Sequence, residues 1–239
     1  MGDRDARSGG QGVNLVRSPA PPIGAWFWVM HGSRDRRAQE VLTATLAAGR
    51  AQCPGLVVAG GFLEGTATPL AERLMAFAAA YPEGTGIGVL PLFLLPGNHV
   101  QVDLPAAVGE VQSRYRHLCL FPHVGALPDL TDRLRPRFPQ GDRRSVLLVH
   151  GSRQPAVQTV VQAWAQHLGA DLACWQGEPA LEQTVAGAPS NVLPCFWVGG
   201  HLGGDRPAVD PLSRRPFAAL ALLPGGLGRS RADGHGALH

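Results

Sequence analysis

The 239-residue chain contains no lysine; all 21 of its basic residues are arginine. That removes Schiff-base chemistry and the lysine-dependent phosphate loop, and it leaves planar guanidinium forks suited to carboxylate or phosphate groups. Charge is sparse, at 16% of residues, and a net charge of +3 is too small to argue for a nucleic-acid partner. The four cysteines, Cys53, Cys119, Cys174 and Cys195, stand far apart and form no CxxC pair. They read as reduced, buried thiols of a cytoplasmic protein. No apolar run approaches the roughly 20 residues that cross a bilayer, so no membrane partner is expected. The first residues, MGDRDARSGGQGVNLVRSPAPP, lack the apolar core of a secretory leader and read as a flexible arm. A GxSxG elbow is missing too, and HGS alone is a poor substitute, which makes a hydrolase the weakest reading.

What is present is a repeat. AWFWVMHGSR (25–34) returns as SVLLVHGSR (145–153), each an apolar strand running abruptly into histidine, glycine, serine and arginine. At 45% apolar content, the length fits one large domain or two of roughly 110 residues, and the repeat favours two. In the first copy the pattern predicts strands at 25–30, 55–62, 87–95 and 117–121. Between them it predicts helices at 34–52, opened by Ser33 or Asp35, at 69–80, opened by Pro69, and at 104–116 after a PGNH loop. A short helix in LPDLTDRLRPRF is expected to stop at Pro136, before an arginine- and proline-rich linker. The second copy predicts strands at 146–149, 172–175, 192–198 and 217–223 and helices at 156–168 and 180–186, with a helical piece near Asp210 and a frayed glycine-rich end. Alternating strands and helices imply a parallel sheet with right-handed crossovers.

In such a sheet the ligand site lies beyond the carboxyl ends of the strands, where strand order reverses. With order 2-1-3-4, Glu64, His31 and His99 follow neighbouring strand ends and converge on one cleft. Two imidazoles and a carboxylate suit a divalent transition metal. A histidine at a strand end is more often structural, but His31 recurs as His150, and the fold does not need a histidine there. His99 recurs as His201, since PLFLLPGNHVQVD (91–103) matches PCFWVGGHLGGD (194–205). An aspartate follows four residues later in both, Asp103 and Asp205. These aspartates have two readings, a partner of the site or a cap for the next helix.

The HGSR phrase, GFLEGTATPL (61–70), PLFLLPGNHVQVDLP (91–105) and LFPHVGALPDL (120–130) together resemble the class II chelatases, specifically the sirohydrochlorin chelatases of cobalamin and sirohaem synthesis. The duplicated layout is similar to the long, two-domain cobaltochelatase form. The resemblance implies an α/β fold of two similar flavodoxin-like, chelatase-like domains, each with a four-stranded parallel sheet flanked by helices. The corresponding boundaries are an arm at 1–22, an active domain at 23–140, a shortened, partly degenerate domain at 141–228 and a tail at 229–239. It implies insertion of Co2+ into sirohydrochlorin, with Fe2+ insertion for sirohaem as the alternative and no permanently bound cofactor. A metal- or tetrapyrrole-binding protein without turnover is the reading from another class.

By the same resemblance His31 and His99 bind the incoming metal and Glu64 assists. Insertion expels two pyrrole protons, and imidazoles, with an ordinary pKa of about 6.5, serve as ligands or acceptors. Ser33 and Arg34 are the expected contacts to the carboxylate rim of the macrocycle, while Arg36 and Arg37 read as a solvated helix start. Two departures stand out. One residue more than the family pattern separates Glu64 from Pro69, and the second copy, LACWQGEPAL (172–181), sets Cys174, Trp175 or Gln176 where the acid belongs, with Glu178 too close to Pro179. LFPHVG also becomes LLPGGLG, losing the counterpart of His123. The first half is therefore expected to hold the active site, with His150 and His201 a possible second, weak one.

Overall fold

In the computed structural model, which describes residues 22–33, 36–138 and 143–195, the chain is organised around β1 (Ile23–Met30). Every residue from Ala25 to Met30 is buried, as expected of a parallel strand covered on both faces, and this is why it reads as an unbroken apolar run. It pairs in parallel with β2 (Val58–Phe62) on one side and β3 (Gly86–Pro91) on the other; β4 (Leu118–Leu120) continues beyond β3, giving the order β2-β1-β3-β4. Alternate side chains divide the two layers. Trp26, Trp28 and Met30 pack with Ala38 and Leu42 of α1 (Arg36–Gln52). Phe27 and Val29 pack with Leu70 and Leu74 of α2 (Leu70–Ala78) and with Leu104, Val108 and Val111 of α3 (Leu104–Gln112).

The second unit repeats the plan with β5 (Arg144–Val149), α5 (Pro155–Leu168), β6 (Asp171–Cys174), α6 (Leu181–Val185) and β7 (Ser190–Pro194), ordered β6-β5-β7. Its described sheet thus has three strands rather than four. The segment expected as the fourth, 217–223, lies outside the described residues, as do the piece near Asp210 and the tail.

The two sheets share one core. Leu147, Val149, Val157, Val161 and Trp164 belong to the same apolar cluster as Trp28, Leu42, Phe138, and Leu130 and Leu134 of α4 (Leu130–Leu134). Polar contacts fasten α4 and its continuation to the end of α5: His167 Nε2 lies 3.1 Å from Asp132 Oδ1, and Arg135 donates to the His167 carbonyl at 2.9 Å. Among the described residues no helix is long and apolar enough to cross a membrane.

Two local expectations need correcting. The third strand stops at Pro91, not Leu95, because β1 ends beside it. Leu92 donates to Val29 and Phe93 then accepts from Gly125, so Leu92, Phe93 and Leu94 are buried without extending the ladder. The PGNH segment does not lead through a loop to a helix at Leu104; a π-helical turn spans His99–Asp103 and runs directly into α3, which ends at Gln112. The short helix ends at Leu134, ahead of Pro136 as expected, and the proline sits in a 3-10 turn, Arg135–Arg137, that follows it directly.

Candidate metal centre

His31 is the first residue past β1, and the backbone ladder outlasts the strands just there. Leu63 donates to Met30 at 2.8 Å and Glu64 to His31 at 3.0 Å, which carries Glu64 to the side of His31. Gly32 makes this approach possible. Its φ is +104°, and a Cβ on it would lie 2.0 Å from the Glu64 carbonyl oxygen, so no side chain fits. His31 Nδ1 lies 3.3 Å from Glu64 Oε1 and 3.0 Å from the Gly32 carbonyl oxygen. Two acceptors beside Nδ1 favour the proton there and leave the lone pair on Nε2.

His99 opens the π-helical turn after β3. Pro105, inside an otherwise continuous helical run, cannot donate to the carbonyl four residues back and would clash with it; the wider turn just before it relieves this. That turn brings His99 Nδ1 to 2.7 Å from Asp103 Oδ2. The cap reading of Asp103 is therefore corrected: the residue has helical dihedrals and makes no side-chain cap bond, and its carboxylate goes to the imidazole instead. The His31 and His99 rings meet nearly at right angles (87°) with centroids 4.5 Å apart, and the Phe93 ring lies 6.2 Å from that of His31. One ligand atom from each of His31, Glu64 and His99 lies within 4.8 Å of the others, a spacing that can hold a single metal ion. The side chains are open to solvent, 46% exposed for His31, 53% for Glu64 and 36% for His99.

The second unit keeps the frame and changes the chemistry. Trp175 donates to Val149 and Gln176 to His150, at 2.7 and 2.9 Å, and a Cβ on Gly151 (φ +93°) would lie 1.8 Å from the Gln176 carbonyl oxygen. Among the three candidates for the missing acid, Gln176 thus occupies the position of Glu64. Glu178 accepts from the Ala180 N–H at the start of α6, a local structural bond. His150 is exposed, and His201 lies outside the described residues. Ser33 is exposed, with its backbone against Gly65, while Arg34 lies outside the described residues. Arg36 and Arg37 are exposed at the start of α1. His123 sits beneath the 93–94 segment with its pKa lowered by burial and its Nδ1 without a hydrogen-bond partner.

Of the two readings of Asp103, the partner of the site holds, on an aspartate four residues after a histidine on a helical stretch. Sequence reasoning missed the bond from Gln154 of the second unit to Asn98 Oδ1, at 3.1 Å beside His99, which has no sequence signature.

Comparison with known proteins agrees with this architecture. The CbiX family model matches residues 25–140. A sirohydrochlorin ferrochelatase of Bacillus subtilis (strain 168) is 31% identical over 152 residues, which cover 60% of this chain and 57% of that protein's length. Among solved structures, SirB from Bacillus subtilis with Fe3+ superposes with a TM-score of 0.62 at 23% identity, covering 75% of this chain and 79% of that one. The sirohydrochlorin chelatase SirB from Bacillus subtilis subspecies spizizenii in complex with cobalt gives 0.60 at 24%, covering 75% and 77%. These two likenesses concern the fold. Residues 25–140, the stretch that carries His31, Glu64 and His99, are thus similar to the CbiX family.

Proposed function

We propose that this protein inserts a divalent metal ion, Co2+ before Fe2+, into sirohydrochlorin, with the ion and the macrocycle both as substrates. The observation that carries this reading is the convergence of His31, Glu64 and His99 within 4.8 Å. Insertion replaces two pyrrole N–H bonds by bonds to the metal and releases two protons, so a site must hold the ion loosely and offer acceptors beside it. The two imidazoles hold the ion through Nε2, their Nδ1 atoms being turned to Glu64 and Asp103. Their exposure leaves a face open for the macrocycle. As the ion passes to the macrocycle, the vacated imidazoles and Glu64 take up the departing protons. Ser33 and Arg34 are assigned to the macrocycle's carboxylate rim.

Residues 23–140 are assigned the chemistry. Residues 141–228, with Gln176 where the acid would stand, are assigned closure over the substrate. The preference for Co2+ follows from the two-domain layout; the curated relative, named a ferrochelatase, supports Fe2+ as the second reading. The test is anaerobic incubation of the purified protein with sirohydrochlorin and either Co2+ or Fe2+, followed by visible absorption. Faster metallation with Co2+ is expected. A rate favouring Fe2+ would assign the protein to sirohaem synthesis, and tight macrocycle binding with no metallation by either ion would refute an enzyme.

A further inference from the structure

Strand β2 lies at the edge of its sheet. Val57 accepts from Trp26 and Leu63 donates to Met30, so the odd-numbered residues face β1, and by alternation the carbonyls of Val58 and Phe62 point away from it. Each of these outward carbonyls is met by an arginine. Arg50, near the end of α1, donates to Val58 at 2.5 Å, and Arg73 of α2 donates to Phe62. The two contacts have the same chemistry but opposite positions. Arg50 sits at the entry of the strand, far along it from the metal centre, whereas Phe62 lies two residues before Glu64.

Arg73 is also the costlier of the two. Its guanidinium is half-buried against Gly61 and Phe27, its Nε is sealed from solvent without an acceptor, and no carboxylate among the described residues pairs with it. Burial lowers its pKa, and an unpaired cation in such surroundings costs stability. Gly61 makes the room, since a Cβ there would lie 2.6 Å from Arg73 Nη1. An apolar side chain would fill the space at lower cost but could not hold the Phe62 carbonyl.

We propose that Arg73 is a positioning residue for the metal centre: by clamping the carboxyl end of β2 through Phe62, it fixes where Glu64 stands beside His31. This rests on the reading of His31, Glu64 and His99 as the metal-handling site. Arg50 supplies the internal control. Purified Arg73→Met, Arg73→Lys, Arg50→Met and Arg50→Lys proteins are titrated with Co2+ and followed by its visible absorption bands, with melting temperatures measured alongside. Arg73→Met is expected to weaken Co2+ binding about tenfold and to alter the band shape, in the range seen for residues that orient a ligand. Arg50→Met is expected to lower the melting temperature comparably and leave affinity and spectrum unchanged. Arg73→Lys, which keeps one donor but loses the guanidinium fork, should recover only part of the loss. Equal Co2+ affinities in the Arg73→Met and Arg50→Met proteins would overturn the proposal. Should Arg73→Met not fold, the lysine pair decides: Arg73→Lys weaker than Arg50→Lys supports it, and equality overturns it. Loss of Co2+ binding in His31→Ala with no distinction between the arginines sinks this inference alone, whereas unchanged binding in His31→Ala sinks the metal centre itself.

Discussion

The strand-end turns after β1 and β5 are built on the same backbone and carry different chemistry. In each a histidine follows the strand and a left-handed glycine follows the histidine, and the carbonyl of a residue after the neighbouring strand presses against that glycine, Glu64 in one unit and Gln176 in the other. The close approach is what the fold requires, because any side chain on Gly32 or Gly151 would meet a backbone oxygen. The identity of the residue supplying that oxygen is free as far as folding goes. A carboxylate in one unit and an amide in the other is the chemical difference on which the proposed assignment of metal handling to the first unit rests.

The sharpest way to break that comparison is to remove the imidazoles one unit at a time. His31→Ala or His99→Ala should cost roughly 10²–10⁴-fold in metallation rate, the range associated with losing a group that handles the reacting protons, while His150→Ala should cost less than about threefold. Similar losses in both units would mean that the second site works as hard as the first. Replacing the acid alone is the next step. Glu64→Gln gives the first unit the amide already present in the second, keeps the side chain's size, and should lower the metallation rate by about 10–100-fold. A rate near that of the unaltered protein would show that the Glu–Gln difference does not separate the units.

Asp103→Ala tests a smaller effect. His99 would keep its place on the turn after β3 but lose the carboxylate that holds Nδ1, and because that pair is partly exposed the expected loss in Co2+ affinity is about tenfold, at the low end for such partners. Isothermal titration with Co2+ measures it directly, and an unchanged affinity would return Asp103 to a purely local role.

Much of this arrangement was legible before any coordinates. The unbroken apolar run of β1 announced a strand buried on both faces, and the alternation of strands and helices announced parallel pairing; from the order 2-1-3-4 the meeting of His31, Glu64 and His99 followed as topology. The extra residue between Glu64 and Pro69 does not disturb this, because the ladder from Met30 and His31 sets the position of Glu64 from the strand side. What stayed hidden depends on local geometry that periodicity does not encode. Helix-cap preference misdirected Asp103, since nothing in the pattern signalled a π-helical turn ahead of Pro105. Apolar character alone carried the third strand too far, because past the last strand pair, Val29–Pro91, Leu92 and Leu94 are still buried in the layer of Trp26 and Met30, and Phe93 in the layer of α2 and α3. The choice among Cys174, Trp175 and Gln176 needed the backbone contact at Gly151.

The smallest expected effect is the most informative about how the two units diverged. Gln176→Glu restores a carboxylate at the position that mirrors Glu64, with the backbone for it already in place: Gln176 donates to the His150 carbonyl just as Glu64 does to that of His31. A carboxylate there lies beside an exposed imidazole, and the pair offers a divalent ion two ligands without any change of fold. Two ligands hold an ion weakly, so the variant should take up a second equivalent of Co2+ only at the high end of a titration, with insertion by the first unit unchanged. Calorimetry with the His31→Ala background isolates that second event, since the first site is then disabled. No added binding in Gln176→Glu would mean that the second unit lost more than its acid, and that His150 serves the fold or the closure over the substrate.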